Sequence, residues 1–120
     1  MFHFRSMREE IDAAVNFLLT ILKIRKGEEK FKMKMEELLL DRYQGHWYPT
    51  NPWKGSAYRC IRNNVRVVDP VMWIAAEESQ LGVDDLNGIL RIELTMWVDP
   101  GSVCYRIGER GGSICYLFMK

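Results

Sequence analysis

The side chains from which this chain could build catalysis are two histidines, His3 and His46, three cysteines, Cys60, Cys104 and Cys115, and a scatter of acids. Nucleophilic catalysis needs an imidazole within hydrogen-bond reach of a Ser, Thr or Cys that it can deprotonate. His3 falls in a terminus expected to fray, and His46 sits between Gly45 and Trp47, where a histidine packed for structure is the simpler reading. Zinc would have to gather His46 and the cysteines. No CxxC or similar chelate pair is present, so the thiols read as small buried hydrophobes and no metal is expected. The "KGS" run at residues 54–56 lacks the upstream glycine of a phosphate-binding loop. The acids form no pair on a strand end. No catalytic residue, cofactor or small-molecule ligand is assigned, and the chain is not read as an enzyme.

Recognition chemistry is more promising, in "LTMWVDPGSV" at residues 94–103. Strand alternation sends Leu94, Met96 and Val98 to one face and Thr95, Trp97 and Asp99 to the other. Burying Trp97 would carry Thr95 and Asp99 inward and strand a carboxylate away from water, which is costly. An indole projecting outward beside a hydroxyl and a carboxylate has instead the composition of an interface hot spot. Trp47 and Trp73 are expected to pack internally. A competing chemistry lies in the basic cluster from Lys23 to Lys34, which would contact phosphate in an RNA-binding module. Glu28 and Glu29 dilute it and no aromatic platform lies within it, so a solvated helix end is the favoured reading and direct nucleic-acid binding the alternative.

These residues must be placed by one domain, because 120 residues suffice for a single core. The net charge of +1 supplies no global field toward nucleic acid or membrane. No apolar run reaches the roughly 18 to 20 residues of a membrane helix, and "AAVNFLLTILKI" follows the acidic "REEID" rather than a basic segment. An odd cysteine count fits reduced thiols, and the expected setting is cytoplasmic and nuclear.

A capping box at Ser6 and Glu9 predicts a helix start after an N-terminal extension of residues 1–6, with the domain over 7–120. Gly27 separates that helix from a second, from about Glu28 to Gln44, with Phe31, Met35, Leu38, Leu39 and Tyr43 on its apolar face. Gly45 ends it, and an aromatic, proline-bearing loop leads to "AYRCIR", which has strand character. "VDP" signals a helix start, and "VDDLNGIL" a further short helix. The last third reads as "ELTMWV", "VCYRI" and "SICYLF" strands, with "DPGS" and "ERGG" turns. The expected fold class is α+β: an N-terminal antiparallel helix pair plus short helices packed on a small antiparallel β-sheet.

The stretches "LLLDRYQGHWYPTNPWKGSAYRCIR" and "ELTMWVDPGSVCYRIGERGGSI" resemble the two signature boxes of the BTG/Tob anti-proliferative family. The likeness runs from "MREEIDAAVNFL" to "SICYLF". It implies an adaptor that docks on the catalytic poly(A)-nuclease subunit of the CCR–NOT deadenylase complex, regulating mRNA deadenylation and restraining cell proliferation. It implies partner contacts at Tyr58, Trp97 and Asp99, with Lys54 and Gly55 shaping the loop nearby. Trp97 would fill an apolar pocket, and Asp99 would accept hydrogen bonds from the partner.

Departures from the family pattern are Ser102 in place of a common Glu, Asn63 in place of an aliphatic residue, and Arg91-Ile92 where a proline precedes "ELT". Asn63 is expected to loosen the inner face of its strand. "MEELL" and "LNGIL" stand where some relatives carry Leu-x-x-Leu-Leu, so receptor binding through that motif is not carried over. Members often continue into C-terminal tails that recruit further partners. A chain that docks without such a tail is expected to compete with recruiters of mRNA.

Overall fold

Apolar residues at helical spacing bury one stripe of the first helix, α1 (Phe2–Leu22), through Met7, Ile11, Ala14, Val15 and Leu18. The computed structural model describes the backbone of residues 2–108 and 112–120, and side chains from residue 7 onward. The helix runs back to Phe2, so Ser6 lies within it and is not its N-cap. Residues 2–5 contain no Gly or Pro to stop a helix, and a side-chain cap is worth only about 1 kcal/mol. The "ERGG" turn falls largely outside the described residues.

Residues 23–27 connect α1 to α2 (Glu28–Tyr43), which buries Phe31, Met35, Leu39 and Tyr43 and packs beside α1. Buried Asp85 accepts the Arg25 amide at 3.1 Å and fixes that connection. The basic cluster there is broken up by acids: Arg25 pairs with Asp84 at 3.4 Å and Lys34 with Glu78 at 2.9 Å.

A loop leads to α3 (Ser56–Arg59) and β1 (Ile61–Asn63). The expected strand over "AYRCIR" is therefore a helical turn in its first half. Asp69 caps α4 (Pro70–Glu78), its carboxylate accepting the Val71 amide at 2.9 Å, and Pro70 fills the first helical position as expected from "VDP". Next come α5 (Val83–Arg91), β2 (Leu94–Asp99), β3 (Ser102–Ile107) and β4 (Cys115–Met119). The strands form one antiparallel sheet in the order β1-β2-β3-β4, which leaves β4 on an edge.

Leu94, Met96 and Val98 face the helices and are buried, and Phe17 of α1 stacks on Tyr105 of β3 with centroids 4.1 Å apart. This is the helices-on-a-sheet α+β architecture that the sequence predicts. Asn63 does not loosen its strand. Its Nδ2 donates to the carbonyls of Ile89 and Ile92 at 2.8 and 3.0 Å, and its Oδ1 accepts the Asp69 amide at 2.8 Å. A buried amide satisfied this way ties β1 to the end of α5 and the start of α4.

Candidate protein-docking site

Strand β2 has the predicted alternation, but its outer face is not open. Thr95 is buried, Trp97 half-buried, and Asp99 only 6% exposed. Register explains Thr95: Arg62 of β1 and Arg106 of β3 stand directly opposite it on either side, and long arginine stems cover what lies between them. The Arg106 guanidinium lies 5.8 Å from the Trp97 ring centroid.

Asp99 is the larger correction. Its Oδ1 accepts from Arg59 Nη2 at 2.8 Å, so the carboxylate read as facing solvent already has an internal partner. Alternation fixes which side a residue takes, and says nothing of what another element lays over that side.

Arg59 is the residue that sequence reasoning missed. It has no exposed surface and spends all five N–H donors. Nε donates to Val98 O at 2.8 Å and Nη1 to the carbonyls of His46 and Lys54, both at 2.7 Å. Nη2 donates to Pro52 O at 2.9 Å and to Asp99. Its guanidinium sits 5.4 Å from the buried Trp47 ring centroid. The fully buried Tyr43 donates its hydroxyl to the Arg59 carbonyl. The 46–55 loop is thereby fastened to the end of β2.

The remaining predicted residues lie on α3 and the loop before it. Tyr58, next to Arg59 on α3, is 45% exposed and stacks on His46 at 4.0 Å, with the Arg42 guanidinium 5.2 Å from its ring centroid. His46 is thus the packed structural histidine expected. Lys54 is exposed and lies 4.5 Å from the Tyr48 ring centroid. Gly55 precedes α3 at φ 76°, and a Cβ there would meet Arg59 Nη1 at 3.0 Å. The structure therefore brings Lys54, Gly55 and Asp99 around one guanidinium, with Trp97 two residues before Asp99 on the same strand face and Tyr58 turned toward His46 and Arg42.

Trp47 is buried and Trp73 half-buried, whereas Trp53 stands 79% exposed on the loop. Its placement directly after Pro52, in a stretch without apolar periodicity, was the available signal.

Burial pushes the Cys60 and Cys104 thiols up, with Asp99 adding to both, so neither is an activated nucleophile. Cys115 is exposed, contrary to its reading as a buried hydrophobe. Among the described residues no three His, Cys, Asp or Glu side chains gather as metal ligands, and no helix is long and apolar enough to cross a membrane.

Comparison with known proteins agrees with the two motif boxes. The model of the BTG family matches residues 7–118. Protein BTG2 of Rattus norvegicus is 44% identical over 117 residues, covering 93% of this chain and 73% of that protein. Protein BTG1 of Homo sapiens is 43% identical over 118 residues, covering 94% and 68%. Protein Tob1 of Homo sapiens is 44% identical over 108 residues, covering 88% of this chain and 31% of that protein. The chain thus spans less than a third of Tob1. These relatives are named as BTG and Tob proteins and not by a reaction. Among solved structures, a variant BTG/Tob domain of C. elegans FOG-3 has the same fold, with a TM-score of 0.77 at 21% identity, covering 94% of this chain and 82% of that one. The chain belongs to the BTG/Tob anti-proliferative family.

Proposed function

We propose that this domain is a protein-docking adaptor for the catalytic poly(A)-nuclease subunit of the CCR–NOT deadenylase complex, through which it regulates mRNA deadenylation and restrains proliferation in cytoplasm and nucleus. The observation that carries this reading is the half-buried Trp97 ring on the strand face that also holds the Arg59–Asp99 pair, with Tyr58 exposed next to Arg59 in the chain. A half-buried indole on a strand offers apolar area to a complementary pocket at low entropic cost. Asp99 contributes by holding Arg59, and exposed Tyr58 adds a ring with a hydroxyl. No nucleic acid, membrane or small molecule is required.

Titration calorimetry with purified nuclease subunit tests this. Wild type should bind with micromolar affinity or better, and Trp97→Ala should weaken binding by about 30-fold or more while still unfolding cooperatively. Wild-type-like binding by Trp97→Ala would place the docking surface elsewhere. Binding to RNA that weakens steeply with added salt would favour the basic cluster instead.

A further inference from the structure

Trp53 is the most exposed of the four tryptophans, at 79%, and no function assigned so far uses it. We propose that Trp53 is a second anchor for the same protein partner and that Arg59 is the residue that positions it; this rests on the docking reading above. The partner is then a protein with two apolar clefts, one for each indole.

The backbone around Trp53 is held on every side. Arg59 takes the carbonyl before it, at Pro52, and the carbonyl after it, at Lys54. The Trp53 carbonyl accepts the Ser56 amide at 3.2 Å, and the Lys54 amide donates to Asn51 O at 3.0 Å. A large apolar side chain on a fixed backbone has already given up the chain entropy that docking would otherwise remove. That is the physical profile of a hot-spot residue, in which tryptophan is enriched.

The same guanidinium fixes the loop relative to Trp97. Nε and Nη2 reach Val98 O and Asp99 Oδ1, both at 2.8 Å. Asp99 lies two residues beyond Trp97 on the same face, about 7 Å along the strand. One cation therefore ties together the two backbone segments that carry the indoles. Asp99 acts in docking through Arg59, without itself touching the partner.

The test compares wild type, Trp97→Ala, Trp53→Ala, Arg59→Lys and the Arg59→Lys/Trp53→Ala pair by calorimetry against purified nuclease subunit. Trp53→Ala should weaken binding by about tenfold or more and leave the unfolding midpoint unchanged. In the Arg59→Lys background the same truncation should cost less than about threefold, since coupled residues are not additive, and amide exchange over residues 50–55 should quicken. If Arg59→Lys fails to fold, Asp99→Asn, which removes only the charge facing Arg59, takes its place. If Trp97→Ala abolishes binding while Trp53→Ala binds as wild type, the second anchor is overturned and the docking reading stands. If Trp53→Ala costs the same in both backgrounds, the positioning role of Arg59 is overturned. No binding by wild type overturns both the anchor and the reading it rests on.

Discussion

Replacing Arg59 by alanine would strand four carbonyls and a carboxylate at once, those of His46, Pro52, Lys54, Val98 and Asp99. Removing one partner of a buried ion pair typically costs about 3–5 kcal/mol. Arg59→Ala should therefore lower stability by about that amount in urea unfolding; a change under about 1 kcal/mol would show that water replaces the lost bonds. At this scale the sequence was half legible. The side of the strand that Trp97 takes follows from alternation alone. The ion pair under Asp99 does not, because its cation sits 40 residues away in a segment that reads as a strand. Asn63 teaches the same lesson: an amide in an aliphatic position reads as a defect until its three partners are known.

Between residue and sheet stands the short helix α3, and Gly55 explains why "AYRCIR" does not begin as a strand. The left-handed backbone at φ 76° turns the chain into a helical turn, which aims Arg59 inward. A side chain there is doubly penalised, by its φ and by the 3.0 Å approach to Arg59 Nη1. Gly55→Ala should cost about 1–2 kcal/mol from the backbone alone and loosen the loop that carries Trp53. Thermal unfolding checks the first effect and amide exchange over residues 50–55 the second. Where local chemistry decides, as at the Asp69 cap with Pro70 behind it, element boundaries were readable. Where the deciding contact came from another element, they were not.

Across the whole molecule, Glu10 links α1 to the β2–β3 turn. It is buried, its Oε2 accepts the Gly101 amide at 2.8 Å, and its Oε1 has no hydrogen-bond partner among the described residues. Burial pushes its carboxyl above the ordinary 4.5, although the Gly101 amide and Lys120 pull it down. The folded chain then holds more protons than the unfolded one above that value, so stability falls as pH rises through this window. Glu10→Gln keeps an acceptor for Gly101 and removes the charge. It should flatten the pH dependence of the unfolding midpoint above the ordinary 4.5 and raise the midpoint at neutral pH; an unchanged slope would assign the dependence to other groups. The sheet order has a further effect, on handling in concentrated solution. Among the described residues β4 pairs only with β3; it exposes Tyr116 and Met119, Ile114 is exposed just before it, and no charged residue lies from Ser113 to Met119. Such a border accepts a strand from a neighbouring molecule. Warmed or crowded samples should turn turbid through this border, and Tyr116→Lys should delay the turbidity without changing the circular dichroism spectrum.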